Sequence, residues 1–262
     1  MKPPQQKLSI LVASCDKYAD IWKPFSLLFK RYWADCPYEI VLITESEVPE
    51  LGEYVFDRSV ACGKGMGWAD RLTHGLEQVH TPYVIMLCDD YFLCDRVDTT
   101  RMEHLLALAQ KHQAGNLRMI QNPMHQRVFS EAEGLGEYDK GTAYCISTMA
   151  GIWDVCFLKK LAKGYKSIWE FERHGSFQCT HLPYPILGTR EIAFPFEDAV
   201  HKGKWEEAGI RLCSRNGIEI DFKKRGQMTH LDIIWKNLLG AILQLNPTRI
   251  VKIQNALGLG KK

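Results

Sequence analysis

The sequence predicts an α/β protein, in which a mostly parallel sheet is flanked by helices and followed by a helical tail. Within residues 1–110, short apolar runs alternate with longer segments whose apolar side chains recur at helical spacing. This alternation is typical of parallel strands with helices packed on both faces. A chain of 262 residues suits one such domain, which we place at 1–225, with a tail at 226–262.

Each element follows from its own pattern. Residues 8–13 and 38–43 are apolar runs that end in polar residues, so both predict buried strands leading into loops. Two further strands are predicted at 54–60 and 83–87. The predicted helices are 18–33, 67–79, 99–111, 154–162, 168–174 and 204–212. Between 117 and 149 the pattern indicates shorter strands and loops.

Charge and cysteine content narrow the possible partners and compartments. The 33 basic and 31 acidic side chains give a net charge of +2, which provides no reason to expect a nucleic-acid partner. The nine cysteines are odd in number and form no Cys-x-x-Cys pair, which indicates free thiols in a reducing compartment. Residues 1–7 lack the apolar core of a signal peptide. We therefore expect a cytoplasmic protein.

The tail combines apolar and basic residues. From Lys223 to Lys262 the sequence contains a single acid, Asp232. Amphipathic helices are predicted at 231–243 and 247–257. A basic amphipathic tail can lie on an anionic membrane surface, so peripheral contact with the inner face of the membrane is one expectation. The alternative is a tail packed on the domain or on a second subunit, as in a homodimer.

The strongest chemical signal is the pair Asp89-Asp90, which directly follows the apolar run at 83–87. Burying two carboxylates at the end of a strand lowers the stability of the fold unless water or a cation compensates their charge. Mg²⁺ or Mn²⁺ bound to a diphosphate would do so, because such ions take one or two carboxylates together with phosphate oxygens. A solvated turn is the alternative.

An apolar strand followed by Asp89-Asp90-Tyr91-Phe92 resembles the DXD-type motif of GT-A glycosyltransferases. Four further segments occur in the order found in bacterial glycosyltransferases of surface-polysaccharide biosynthesis. They are Ser14-Cys15-Asp16, Trp68-Ala69-Asp70-Arg71, Ala150-Gly151-Ile152-Trp153 and Trp169-Glu170-Phe171-Glu172. The resemblance implies a GT-A fold, a nucleoside diphosphate sugar donor with UDP favoured, and a glycan or lipid-linked glycan acceptor. The adjacent Asp pair departs from the spaced Asp-x-Asp form of the motif.

The resemblance implies a nucleotide site built from several strand ends. In this family the loop after the first strand contacts the nucleotide, and Asp16 would accept a hydrogen bond from the base. Glu45 would bind a ribose hydroxyl, and the guanidinium of Arg71 suits a phosphate. The residues expected at the nucleotide are Ser14, Cys15, Asp16, Glu45, Asp70, Arg71 and Asp89.

The resemblance also implies a carboxylate base for an inverting transfer, with Glu170 and Glu172 as candidates. Residues two apart on a helix point about 200° apart, so one of the two faces the cleft, and the sequence leaves open which. Glu197-Asp198 is an alternative source of the base.

The remaining implied contacts concern the sugar and the metal. Gly151 would allow close approach of a ligand to the backbone, and Trp153 would stack on a sugar face, although core packing explains Trp153 equally well. His201 is expected to join Asp89 and Asp90 as a metal ligand, which favours Mn²⁺ over Mg²⁺ because imidazole suits Mn²⁺ better.

Two other classes of function compete with this interpretation. A sugar-1-phosphate nucleotidyltransferase would need a glycine-rich basic loop after the first strand, and Ser14-Cys15-Asp16 has no glycine. A non-enzymatic module that binds nucleotides or glycans would need no catalytic base. Turnover with a panel of donors separates that module from a transferase.

Overall fold

The computed structural model describes residues 7–245 and 247–256, which form a mixed α/β fold. The strands are β1 (Leu8–Ala13), β2 (Ile40–Thr44), β3 (Arg58–Ala61), β4 (Tyr83–Cys88), β5 (Tyr91–Leu93), β6 (Asn116–Arg118), β7 (Arg127–Ser130), β8 (Leu135–Glu137), β9 (Gly151–Asp154), β10 (Ile186–Thr189), β11 (Phe196–Asp198), β12 (Val200–His201) and β13 (Lys204–Trp205). The helices are α1 (Trp22–Tyr32), α2 (Trp68–Glu77), α3 (Thr99–Lys111), α4 (Val155–Leu161), α5 (Ile168–Gln178), α6 (Glu207–Arg215), α7 (His230–Leu245) and α8 (Pro247–Ala256).

The central sheet of the described chain has the strand order β3-β2-β1-β4-β9-β6-β10-β8-β7. The first four strands pair in parallel. Strand β9 runs antiparallel to β4 and β6, and β8 runs antiparallel to β10 and β7, whereas β10 is parallel to β6. Only β8 and β9 therefore oppose the direction of the other strands in this sheet. The predicted α/β class with a mostly parallel sheet is confirmed.

Helices cover both faces of the sheet because successive strand residues point to opposite sides. Ile10 and Val12 face one cluster, which contains apolar residues of α1 and α3. Leu11, between them, faces the second cluster, which contains residues of α2, α4 and α5. The alternation explains why the β1 and β4 runs are apolar along most of their length, since both faces are covered.

Several element boundaries differ from the predictions. The third strand covers only Arg58–Ala61, because its parallel pairing with β2 begins at Arg58. The first predicted helix divides into a 3-10 turn at Asp16–Ile21 and α1, where Pro24 occupies the first turn. Residues 204–212 contain β13 before α6 begins. Helix α5 continues to Gln178.

The predicted tail helices correspond to α7 and α8. Residues 1–6, Asn246 and 257–262 lie outside the described residues, so the end of the 247–257 prediction is not covered. Among the helices that the structure describes, each is too short or too polar to cross a bilayer.

Candidate functional site

A cavity of about 730 Å³ opens at the carboxyl ends of β1 and β4. Ligands of parallel α/β sheets bind at this edge, where the loops that follow the strands converge. Residues 144–149, the start of α5, residues 198–206 and α7 complete the lining. The predicted site residues that line this cavity are Ser14, Cys15, Arg71, Asp89, Asp90, Glu172 and His201.

Asp89 connects the ends of the two central strands. Its carboxylate is buried and accepts a hydrogen bond from Ser14 Oγ, which itself accepts one from Trp22 Nε1 at 2.8 Å. Burial raises the pKa of Asp89 to about 7, although the hydrogen bond from Ser14 and the nearby N–H of Trp22 act in the opposite direction. The carboxyl is therefore placed where a positively charged ligand would stabilise its ionised form.

Asp90 and Asp198 bring further carboxyls to the same cavity. Burial raises the pKa of Asp90 well above its usual range, and the charges of Asp89 and Asp198 add to this. Burial, followed by the charge of Glu206, raises the pKa of Asp198 to about 6. Strand β11 carries Asp198 opposite Tyr91 of β5, which places it beside the Asp pair. These three carboxyls form an acidic cluster, in which Asp89 is buried and the other two are half-buried. Such a cluster favours a cation.

Asp16 and Glu45 occupy the loops beside the cavity and are absent from its lining. Asp16 accepts hydrogen bonds from Ser46 N at 2.9 Å, Ser46 Oγ at 2.5 Å and Glu47 N at 2.9 Å. Slight desolvation raises the pKa of Asp16, but the bonds from Ser46 and Glu47 outweigh it and hold the pKa at about 2. Its observed role is to brace the loop after β2, whereas a base contact was expected.

Arg71 and Asp70 face different sides of α2. Arg71 lines the main cavity and donates to Glu45 Oε1 at 3.0 Å and to Met66 O at 2.9 Å. Asp70 lines a separate surface depression of about 300 Å³, together with His74. A helix of 3.6 residues per turn separates neighbouring side chains by about 100°, so only one of the two reaches the main cavity. The structure therefore does not place Asp70 at the predicted nucleotide site.

The two candidate bases on α5 have different surroundings. Glu170 Oε2 accepts from Lys166 N at 2.8 Å, and Glu170 N donates to Ser167 Oγ at 3.2 Å. This arrangement is close to a capping box, whose Ser-x-x-Glu signature was already present in the sequence. Glu170 thus stabilises the start of α5 and does not line the cavity.

Glu172 is buried at the wall of the cavity. Its Oε1 accepts from Ser147 Oγ at 2.8 Å, Thr148 N at 2.7 Å and Thr148 Oγ1 at 2.9 Å. No hydrogen bond reaches Oε2 from any residue in the described part of the chain. The carboxylate is therefore held in one orientation by three donors on a single oxygen.

His201 lies on the same cavity, half-buried. Its Nδ1 is 3.9 Å from Glu206 Oε1, and Lys236 Nζ donates to the two oxygens of Glu206 at 2.5 and 2.6 Å. Burial, and then the charge of Lys236, lowers the pKa of His201, which favours the neutral imidazole. Within residues 7–245 and 247–256, no three His, Cys, Asp or Glu side chains converge as a preformed metal cluster. The expected Asp89, Asp90 and His201 therefore share the cavity without forming a complete ligand shell.

The structure corrects the two predicted sugar contacts. Trp153 is fully buried and stacks beside Phe157, so its ring does not reach the cavity. Gly151 begins β9, where an added Cβ would lie 2.7 Å from Asn116 Nδ2 and 3.2 Å from Leu117 O. The absence of a side chain allows β9 to pack against β6. Core packing, rather than sugar binding, explains both residues.

Tyr18 and Arg225 contact each other at the cavity, although neither is marked as a site residue by a sequence motif. The Arg225 guanidinium lies 4.3 Å from the centre of the Tyr18 ring, and Tyr18 lines the cavity. Arg225 also donates to both oxygens of Asp20, at 2.9 and 3.1 Å. No local pattern reveals this contact, because the partners are about two hundred positions apart in the chain. Trp169 also lines the cavity, and its side chain is exposed there. Its motif carries no indication of a separate role for this residue.

Comparisons with known proteins are limited to distant structural likeness. No family model and no curated protein matches the sequence. TarS 1-349 from S. aureus is 13% identical with a TM-score of 0.47, and the match covers 73% of this chain and 59% of that one. The mannosyltransferase PcManGT from Pyrobaculum calidifontis, in complex with GDP-Man and Mn²⁺, is 11% identical with a TM-score of 0.49, covering 75% and 58%. A nucleotidyl transferase from Methanothermobacter thermautotroptrophicus is 12% identical with a TM-score of 0.45, covering 72% and 89%.

This chain thus spans about three fifths of TarS 1-349 and of the mannosyltransferase. Likeness at these identities and TM-scores carries no argument about activity, since one fold hosts many functions. The class of protein follows from the strand order and the cavity. It is a mixed α/β protein of Rossmann-like type, with a carboxylate-lined cavity at the carboxyl ends of β1 and β4.

Proposed function

We propose that this protein is a glycosyltransferase that transfers a sugar from a nucleoside diphosphate donor, with UDP favoured, to a hydroxyl of a glycan or lipid-linked glycan. One observation carries the proposal. The cavity joins the acidic cluster of Asp89, Asp90 and Asp198 to a separate carboxylate, Glu172, that three donors orient. The volume of about 730 Å³ lies within the range typical of cofactor and small-ligand sites.

The carboxyls of the cluster fit a divalent cation. Burial raises the pKa of Asp89 and of Asp90, and the charges of Asp89 and Asp198 raise that of Asp90 further. A cation bound beside Asp90 would offset both effects. Mg²⁺ and Mn²⁺ use one or two carboxylates and take further oxygens from a phosphate ligand. The Asp89-Asp90 pair supplies that number, and a neutral His201 would favour Mn²⁺. A bound ion would stabilise negative charge on the leaving diphosphate.

Glu172 is the proposed base of an inverting transfer. The acceptor hydroxyl would pass its proton to Glu172 Oε2 while its oxygen bonds to the anomeric carbon of the donor. The bond from that carbon to the diphosphate oxygen breaks, and its electron pair leaves with the diphosphate. Arg71 and Lys202 line the same cavity and provide positive charge. Asp198, with a pKa raised to about 6, is the alternative base.

The proposal places the enzyme in a reducing compartment, at the inner face of a membrane if its acceptor is lipid-linked. All nine cysteines are unbridged in the structure. The thiols of Cys145 and Cys179 form a hydrogen bond, with their Sγ atoms 3.6 Å apart.

The test is a thermal-shift measurement on the purified protein with UDP, GDP, CMP and ADP, each with and without Mn²⁺. A ligand present at 100 times its Kd should add about 2.7 kcal/mol to the free energy of unfolding. We expect a shift with one nucleotide that increases with Mn²⁺ and is lost in Asp90→Asn. Glu197→Gln is the matched control. Glu197 was an alternative candidate for the base, but its side chain is exposed and does not line the cavity, unlike that of its neighbour Asp198.

Turnover then separates the classes of function. Release of nucleoside diphosphate from a donor sugar, dependent on an acceptor, supports the transferase. Formation of a nucleotide sugar from a nucleoside triphosphate would assign a nucleotidyltransferase instead. A folded protein that shifts with no nucleotide would contradict the proposal and favour a glycan-binding module.

A further inference from the structure

The outward side of α7 carries an apolar surface that we name the α7 stripe, formed by Leu231, Ile234, Trp235 and Leu238. Their side chains are 69%, 59%, 61% and 48% exposed. Residues spaced by three and four positions lie on one side of a helix, so the four side chains are neighbours. Large exposed apolar residues that are contiguous mark an interaction surface, whereas isolated ones are common.

The other side of α7 is attached to the domain by charges. Asp232 accepts from Lys204 Nζ at 2.7 Å, and Lys236 donates to both oxygens of Glu206. Lys236 and Gly240 also line the cavity. Because residues 232, 236 and 240 recur every four positions, they share the inward face. The stripe therefore points away from the cavity that α7 helps to enclose.

The following helix fixes the far end of α7. Thr248 Oγ1 of α8 accepts from Ala143 N at 3.1 Å, and Val251 is fully buried. Helix α8 also packs against α5. The orientation of the stripe is therefore set by contacts at both ends of α7.

From Lys223 onward, the sequence that leads into α7 and follows it is basic. Lys223 and Lys224 are exposed and shortly precede α7, and Asp232 is the single acid from Lys223 to Lys262. That acid is engaged with Lys204 and with Thr229. An anionic lipid surface complements an apolar helix face with flanking lysines, and Trp is favoured at the level of the headgroups. A twofold contact with a second copy would instead bring two basic tails together.

We propose that the α7 stripe docks on an anionic lipid surface, with Trp235 among the headgroups and Lys223 and Lys224 beside their phosphates. Helix α7 has 16 residues and a charged inward face, which suits a helix lying in the interface rather than one spanning it. The docking itself does not depend on the proposed function. If that function holds, the cavity behind α7 is kept beside the membrane, where a lipid-linked acceptor would be presented.

The experiment is co-sedimentation of the full chain with vesicles of phosphatidylcholine alone and of phosphatidylcholine with phosphatidylglycerol. We expect binding to the anionic vesicles that weakens with salt. The triple substitution Ile234→Gln, Trp235→Gln and Leu238→Gln should weaken binding at least tenfold. The matched control replaces exposed apolar residues elsewhere, Val48→Gln, Val128→Gln and Ile192→Gln, and should bind like the wild type. Lys223→Gln with Lys224→Gln should reduce the salt dependence.

Three results would overturn the proposal. The first is a wild-type protein that melts cooperatively but does not bind vesicles. The second is equal vesicle binding by the stripe variant and the wild type. The third is a wild-type dimer that binds no vesicles and that the stripe substitutions convert to a monomer. Nucleotide-induced thermal shifts, measured on the same samples, separate this proposal from the previous one. A stripe variant that loses vesicles and keeps its nucleotide shift supports docking. A wild type that binds vesicles and lacks any nucleotide shift leaves docking supported and contradicts the transferase.

Discussion

The two sides of the cavity are built in different ways. The β wall consists of Ser14, Cys15, Asp89 and Asp90 at the ends of β1 and β4. These strands pair in parallel with Ala13 opposite Cys88, so the residues that follow are neighbours by register alone. The helix wall consists of Glu172, Asp198, His201, Glu206 and Lys236, which come from α5, the 198–206 segment and α7. Backbone pairing positions the first wall. In the second wall, strand pairing carries Asp198 and His201, whereas side-chain hydrogen bonds and ion pairs orient Glu172, Glu206 and Lys236.

This difference suggests a division of roles. The β wall holds the Asp89-Asp90 pair, and burial raises the pKa of both carboxyls. A bound cation would stabilise their ionised forms. The helix wall holds a carboxylate aligned by Ser147 and Thr148. Substitutions on each side should therefore affect different steps.

The largest expected effect is on the helix wall. Glu172→Gln keeps an oxygen for the donors Ser147 and Thr148 but cannot take a proton, so kcat should fall by about 10²- to 10⁴-fold with little change in Tm. Steady-state kinetics with the identified donor measure this. Glu170→Gln is the matched control on the same helix and should keep wild-type kcat. Equal loss in both variants would mean that α5 acts through its packing and not through one carboxylate.

Asp90→Asn tests the β wall, with a somewhat smaller expected loss. Removing one group that stabilises charge in the transition state typically lowers kcat about 10²- to 10³-fold. The dependence of activity on Mn²⁺ concentration should shift to higher concentration in this variant. Glu197→Gln should leave both quantities unchanged. An Asp90→Asn enzyme with normal metal dependence would assign the cation elsewhere.

The pH dependence of stability tests whether burial and the charge of Glu206 raise the pKa of Asp198 in the folded state. The pKa of Asp198 is raised from 3.8 to about 6 in the folded state. The native state therefore binds more protons than the unfolded state between these values, so the free energy of unfolding falls as the pH rises from about 4 to 6. Asp198→Asn should remove this loss and stabilise the apoprotein above pH 6 by up to about 3 kcal/mol.

Urea unfolding at pH 4.5 and pH 7.5 measures this effect. Added Mn²⁺ should reduce the difference between Asp198→Asn and wild type at the higher pH, because a cation compensates the ionised cluster. Parallel curves for the two proteins at both pH values would show that Asp198 titrates normally.

The smallest expected effect concerns the start of α5. Glu170→Ala removes the side chain that accepts from Lys166 N, so the free energy of unfolding should fall by about 0.5 to 1 kcal/mol. Thermal melts measure this, and kcat should stay at the wild-type level. A large loss of activity without loss of stability would return Glu170 to the catalytic candidates.

The sequence was most informative where a local pattern sets the structure. Apolar runs revealed β1, β2 and β4, and the polar residues after them predicted the β wall. It was less informative on α5. The Ser167-x-x-Glu170 signature indicated a capping role for Glu170, but no local pattern indicated that Glu172 faces the cavity. Their surroundings differ because Ser147 and Thr148 approach one of them from a separate loop. The sequence could not decide the role of Trp153, because an aromatic residue in a motif fits core packing and sugar stacking equally well.

By itself, the sequence determined the α/β class and the position of the Asp89-Asp90 pair at the carboxyl end of β4, because strand periodicity and chain order are local properties. Only the tertiary structure decided which α5 carboxylate enters the cavity, that Arg225 packs on Tyr18, and that α7 turns Lys236 inward and its apolar stripe outward. These depend on contacts between residues far apart in the chain, which no short-range pattern encodes.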